Sequence, residues 1–179
     1  SLLKHFGYNV KKFPLNLKPW NKVLEKLNNS KSKVIIGIVG KYTNLKDSYK
    51  SLNEALVHGG IENSAEVDIK WINSEKENNI SLIKKLKGCD GILIPGGFGI
   101  RGINGKINAI KYARENNIPF FGICLGMQLA VIEIAQNVLK IKNAHSSEFK
   151  RTTKSVVGLM TEWVNKNKIE KRDKNSDKG

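Results

Sequence analysis

Two short stretches of this chain hold residue types that can do chemistry. The first is Gly122-Ile-Cys-Leu-Gly126, one cysteine with a glycine two residues to either side. A cysteine acts as a nucleophile through its thiolate. Phe120 to Ile123, set off by Pro119, is a short apolar run that reads as a buried strand. From Met127 apolar residues recur at helical spacing through Val131, Ile134, Ala135 and Val138, which predicts a helix. Cys124 is thereby placed at a strand-to-helix corner, the nucleophile-elbow arrangement with Cys where hydrolases carry Ser. The flanking glycines let the chain turn sharply and leave room for a substrate, and a helix N-terminus favours the thiolate. The bland alternative is a buried structural cysteine, the common fate of a free thiol; glycines on both sides of a strand–helix corner weigh against it. The second stretch is Pro95-Gly-Gly-Phe-Gly99. Its alternatives are a flexible loop or a phosphate cradle, but it lacks the Lys-Ser/Thr ending of a P-loop.

The elements that must position these corners follow from hydrophobic patterning. Val34 to Val39 is a nearly continuous β-branched run ending at Gly40, the mark of a central parallel strand. Gly40-Lys41-Tyr42 opens a loop. Ser48 to His58 reads as a helix with Leu52, Ala55 and Leu56 inward, stopped by Gly59-Gly60. Val67 to Ile72 is a second strand, and Ile80 to Leu86 a helix with its lysines in water, closed by Gly88. Gly91 to Ile94 is a third strand running into the Gly96-Gly97 corner, and the helix Ile107 to Asn117 leads to the Cys124 strand. Alternating strands and helices predict an α/β fold, a flavodoxin-like open parallel sheet with helices on both faces. Ligands of such sheets bind beyond the carboxyl ends of the strands, where both glycine corners fall. Three regions are expected: residues 1–30, with Trp20, Val23, Leu24 and Leu27 on one helical face; a domain over 31–163, in which Val156 to Met160 is a further strand; and a polar, basic, mobile tail over 164–179.

Bulk properties exclude several classes. The apolar share of 40% supports one core, with no run near the ~20 residues of a membrane span and no signal-peptide pattern at the N-terminus. The two cysteines fit a reduced compartment better than a disulfide framework; Cys89, beside Asp90, is given a packing role. A net charge of +15 raises nucleic-acid binding. Lysines spread along every segment, aromatics at only 7% and the lack of a binding motif favour a solvated basic surface, which also attracts polyanionic nucleotides.

Gly122-Ile-Cys-Leu-Gly-Met-Gln128 resembles the nucleophile motif of class I glutamine amidotransferases. Gly96-Gly-Phe-Gly-Ile-Arg-Gly-Ile-Asn-Gly-Lys106 and Ala109-Ile-Lys-Tyr-Ala-Arg-Glu-Asn-Asn-Ile-Pro119 are similar to the glutaminase domain of the CTP synthase family. The similarity runs from about Val34 to Trp163, and residues 1–30 resemble the end of the synthase domain and its linker. The resemblance implies hydrolysis of the glutamine side-chain amide through a Cys124 thioester, supplying ammonia for ATP-dependent conversion of UTP to CTP. Two N–H donors must then meet an oxyanion, and Leu125 and Gly97 are expected to provide them. Glutamine binding is carried onto Gly97, Phe98, Leu125, Gly126, Met127, Gln128 and Glu148. The Glu148 carboxylate suits the α-ammonium group, and Phe98 suits the aliphatic stem. Gly40-Lys41-Tyr42, with Asp47 and Tyr49, resembles a stretch that sets these synthases apart, and spacing alone gives it no role. ATP and Mg²⁺ are expected in a synthase domain, GTP as activator, a homotetramer at full length and a cytoplasmic location, with no cofactor or metal in this chain and no membrane or nucleic-acid partner.

The resemblance also implies a base and its orienting carboxylate from a His-Pro-Glu-like motif well downstream of the nucleophile, absent from these 179 residues. Of the three histidines, His5 lies outside the domain, His58 reads as a helix cap, and His145 stands where the family usually has Asn. The 179 residues alone are therefore expected to be nearly inert as a glutaminase. Two other readings are another Cys-elbow α/β hydrolase and a non-catalytic binding module. Met127-Gln128 and the Gly-Gly-Phe-Gly loop argue against the hydrolase, and salt-dependent RNA binding would mark the module.

Overall fold

The computed structural model describes residues 2–9, 16–41, 46–149, 153–158, 160–165 and 168–171. The elements in order are α1 (Leu2–His5), α2 (Lys18–Asn28), β1 (Ser32–Gly40), a 3₁₀ turn (Lys46–Tyr49), α3 (Lys50–Glu62), β2 (Ala65–Asn73), α4 (Asn79–Leu86), β3 (Gly91–Ile94), α5 (Ile103–Glu115), β4 (Phe120–Gly122), α6 (Leu125–Asn137), β5 (His145–Ser146), β6 (Ser155–Val157), β7 (Glu162–Asn165) and β8 (Lys168–Lys171). The main sheet has the strand order β2-β1-β3-β4. β1 and β3 are parallel with Ile36 opposite Gly91, and β3 and β4 are parallel with Ile92 opposite Phe120. This is the flavodoxin-like order: the chain leaves β1 to one side for β2, then returns past it for β3 and β4. The strand order therefore reverses between β1 and β3.

The chain divides into two compact units, residues 1–34 with 49–68, and residues 35–48 with 69–179. In the first, α2 meets α3 through a Lys26–Glu62 ion pair at 2.7 Å. The hydrogen bond and charge of Lys26 hold the Glu62 carboxyl below its ordinary range. The Trp20, Val23, Leu24 and Leu27 face of α2 is exposed. Gly59-Gly60 do not stop α3, contrary to expectation: the helix runs on to Glu62. A side chain at Gly60 would stand 2.5 Å from the Ala65 carbonyl oxygen and 2.7 Å from Val67, so that glycine lets helix and strand approach closely. His58 is accordingly an exposed residue inside the helix rather than a cap, and Ala55 is exposed rather than inward.

In the second unit the core joins Val39, Ile72, Ile92 and Ile94 of the strands to Leu82 and Leu86 of α4, Ile103, Ala109, Ile110 and Ala113 of α5, and Leu125, Leu129 and Ile132 of α6. All four residues of β3 are buried. Asn78 caps α4, its side chain accepting from the Ser81 N–H at 2.8 Å, and Lys84 and Lys85 lie in water at the other end. α5 starts at Ile103, before the expected Ile107, and Gly105 inside it is a packing residue: a side chain there would fall 2.3 Å from the Ser74 carbonyl oxygen. Two corrections concern the C-terminal part. The expected strand to Met160 is only Ser155–Val157, paired with β5, and the tail expected to be mobile contains an antiparallel hairpin of β7 and β8 with Val164 opposite Ile169. Residues 166–167 and 172–179 lie outside the described residues.

Candidate active site

Cys124 occupies the corner that the patterning indicated. The Ile123 N–H donates to the Ile94 carbonyl at 2.9 Å, extending the β3–β4 pairing, and α6 begins at Leu125. Between them Cys124 takes φ 51°, ψ −107°, a left-handed conformation that a residue with a Cβ seldom adopts. Its side chain is exposed. The flanking glycines serve close approach more than free space for a substrate. A side chain on Gly122 would lie 2.5 Å from the Gly126 carbonyl carbon, and one on Gly126 would lie 2.2 Å from the Ile94 carbonyl oxygen. Only glycine lets α6 fold back this tightly on β3 and β4. The turn is closed by Gly126 N–H to Ile123 O at 2.9 Å and Gln128 N–H to Cys124 O at 3.1 Å.

The second corner meets the first. Pro95 is buried at the end of β3. A Cβ built on Gly96 would stand 3.5 Å from the Cys124 Cβ, and one on Gly97 would stand 3.8 Å from Leu125 Cδ2 and 4.0 Å from Lys106 Nζ. Beyond them the Phe98 ring is 86% exposed and touches little. Lys41, just past β1, donates from Nζ to the Phe98 carbonyl at 2.5 Å and to the Gly99 carbonyl at 3.4 Å. Tyr42 lies outside the described residues. Lys106 of α5 is 1% exposed. Burial first, and then the charge of Lys41, draw its pKa down to about 8 against the opposing pull of Glu75.

Other residues singled out by sequence are placed less centrally. Met127 is exposed and Gln128 half-buried. Of the stripe whose spacing revealed α6, Met127, Val131, Ile134 and Val138 are exposed and Ala135 is buried, together with Leu125, Leu129 and Ile132. Glu148 is exposed on the turn after β5, its N–H donating to Ser146 Oγ at 3.2 Å, and β5 packs on α6. His145 stacks edge-on with Phe149, and its Nδ1 accepts from the Ser146 N–H at 3.0 Å. Cys89 is buried, its sulfur 2.9 Å from where a Cβ on Gly37 would stand, and burial raises its pKa. Sequence reading missed a fully buried carboxylate: Glu133 of α6 takes a double hydrogen bond from Arg114 of α5, at 3.0 Å to Nε and 2.7 Å to Nη2. Glu133 raises the Arg114 pKa in turn.

The sequence profile of the family described as Glutamine amidotransferase class-I matches residues 44–175. The CTP synthase of Nitratidesulfovibrio vulgaris (strain DP4) is 54% identical over 167 residues, 92% of this chain and 30% of that protein. The CTP synthase of Methylorubrum populi is 51% identical over 179 residues, 100% of this chain and 33% of that protein. The chain thus spans about a third of the length of the curated relatives it matches. The solved glutaminase domain of a Trypanosoma brucei CTPS with bound acivicin matches at a TM-score of 0.59 and 46% identity, over 65% of this chain and 46% of that one. The profile spans most of the chain, including both glycine corners and the cysteine between strand and helix, and this chain belongs to the class-I glutamine amidotransferase family.

Proposed function

We propose that this chain is the glutaminase portion of a CTP synthase, with Cys124 as the nucleophile of glutamine hydrolysis. The observation that carries the reading is Cys124 itself, a non-glycine residue held at φ 51°, ψ −107° with an exposed side chain. Such a conformation costs about 1–3 kcal/mol and persists where the surroundings over-determine it, as reactive sites do. The relatives' names supply the larger assignment.

In this reading the thiolate attacks the glutamine carboxamide carbon, a C–S bond forms, and the carbonyl electrons move onto oxygen. The N–H groups of Leu125 and Gly97 stabilise that oxyanion. Leu125 opens α6, where first-turn N–H groups lack intrahelical acceptors, and Gly97 stands against its side chain. The C–N bond then breaks, the nitrogen takes a proton and leaves as ammonia, and a thioester remains. Water attacks the thioester through a second oxyanion, the C–S bond breaks, and glutamate departs from the regenerated thiolate. Gly126, Met127, Gln128 and Glu148 bind glutamine, and Phe98 closes over its stem. The proton transfers fall to a His and its carboxylate from the family's downstream motif. His145, its Nδ1 engaged by the Ser146 N–H, is not assigned that part. In the full-length tetramer, in the cytoplasm, the ammonia converts UTP to CTP with GTP as activator. ATP and Mg²⁺ bind outside this chain, and no step above runs through them.

The test is Cys124→Ser in the full-length enzyme. Glutamine-dependent CTP formation should fall by about 10⁴-fold or more, while ammonia-dependent formation stays within about twofold of wild type. Loss of both activities would make Cys124 structural, and retention of the first would assign the nucleophile elsewhere.

A further inference from the structure

Lys41 has no part in the chemistry above, yet its surroundings are built. It is only 8% exposed, and a buried ammonium is costly unless hydrogen bonds satisfy it. Its Nζ donates to two main-chain carbonyls, those of Phe98 and Gly99. The lysine is itself tethered at both carbonyls around it. Asn73 Nδ2 donates to Lys41 O at 3.2 Å, and Ser74 donates to Gly40 O from its N–H at 2.9 Å and its Oγ at 3.1 Å. This bridge spans the carboxyl ends of β1 and β3, where the strand order reverses.

The next anchor along the loop is the Arg101–Glu75 ion pair at 3.2 Å. Phe98 projects into water, and Gly99 has φ +76°. Fixing the Phe98 and Gly99 carbonyls orients the Phe98–Gly99 and Gly99–Ile100 peptide planes, the first of them one residue beyond Gly97. Between that clamp and the buried Pro95 only Gly96 and Gly97 remain, the pair that lies against Cys124 and Leu125. We infer that Lys41 is a positioning residue for glutamine hydrolysis: its ammonium clamps the Phe98 and Gly99 carbonyls and so holds the Gly97 N–H on the oxyanion. The inference rests on the reading of Gly97 as an oxyanion donor. Without the clamp, peptide planes in a Gly-Gly-Phe-Gly run rotate freely, and a donor turned away is a donor lost. Loss of one such donor lowers kcat by roughly 10²–10³.

The experiment compares Lys41→Met, Lys41→Arg and Cys124→Ser in the full-length enzyme. It reads kcat and KM for glutamine hydrolysis, ammonia-dependent CTP formation, and alkylation of Cys124 by iodoacetamide, which needs no oxyanion donor. Lys41→Met should lower kcat roughly 10²-fold with KM within about threefold and the other two readouts unchanged. Lys41→Arg, which keeps charge and donors, should recover most of the loss. A wild-type kcat in Lys41→Met, or a raised KM at unchanged kcat, would overturn the inference. Should the Met variant fail to fold, Lys41→Gln decides: a partial kcat loss at constant KM supports the clamp, and full activity removes it. The larger reading fails separately, if Cys124→Ser still hydrolyses glutamine whatever the Lys41 variants do.

Discussion

The two glycine-rich corners that meet at Cys124 are held in different ways. At Gly122 and Gly126 main chain lies against main chain, with no space for a methyl group. The geometry there is enforced by packing and cannot relax without moving a strand or a helix. At Gly96 and Gly97 an added Cβ would make only ordinary contacts, and the Phe98 and Gly99 carbonyls just beyond are held from outside by Lys41. One corner is rigid by steric exclusion, the other is held by charge-assisted hydrogen bonds from one ammonium to two main-chain carbonyls. In the proposed reading, a fixed nucleophile thus stands beside an adjustable oxyanion donor.

Substituting the glycines separates these cases most sharply. Gly126→Ala should abolish glutaminase activity, by more than about 10³-fold, and lower the unfolding midpoint by roughly 10 °C, because overpacking against the Ile94 carbonyl must displace α6. Gly97→Ala keeps its N–H and should leave both stability and kcat within about threefold of wild type. Equal damage from the two, read by thermal melts and steady-state kinetics, would erase the contrast.

Next in size is the staple that sets α5 and α6, the helices bearing Lys106 and the elbow, at a fixed spacing. Arg114→Met leaves the Glu133 carboxylate buried without its partner. Losing one member of such a pair is strongly destabilising, and the unfolding midpoint should drop by several degrees, with loss of alkylation selectivity for Cys124 over Cys89. An unchanged melt would show that the helices are held by apolar packing alone.

The smallest effect concerns Lys106, on the Gly97 side. Its pKa of about 8 in the folded chain lies below the ordinary 10.5. Between those values the unfolded chain binds more protons, so this group adds stability as pH rises from about 8 to 10.5 and withholds it below 8. Lys106→Met should raise the melting midpoint by a few degrees at pH 7 and flatten its pH dependence across that window. A parallel pH profile in the variant would mean the Lys106 ammonium is solvated.

Much of this site was legible because the elbow combines three independent signals: a short apolar run, glycines at fixed offsets and a helical period. Residues placed by one signal fared worse. In α6 most positions are apolar, so Met127, Val131 and Ile134 make as good a stripe as Leu125, Leu129 and Ile132. What decides is Gly126, whose contact with Ile94 sets the rotation of the helix. Glu133 gave no signal at all, since nothing in the sequence ties a lone helix carboxylate to Arg114, nineteen positions away. Gly59-Gly60 reads as a helix stop because sequence does not distinguish a glycine that bends the chain from one that lets another segment come near. Lys41 had no legible role, since its partners are carbonyls, and carbonyls carry no sequence signature.

The backbone at position 124 sits where glycine would be the least strained choice. The fold and the chemistry therefore compete for this one position. Selection for stability alone would replace the cysteine, and under the proposed function selection for turnover retains it. In a lineage released from the need to hydrolyse glutamine, the sulfur should be among the first features to vanish, while the tightly packed glycines around it, answerable to the fold, outlast the reaction they frame.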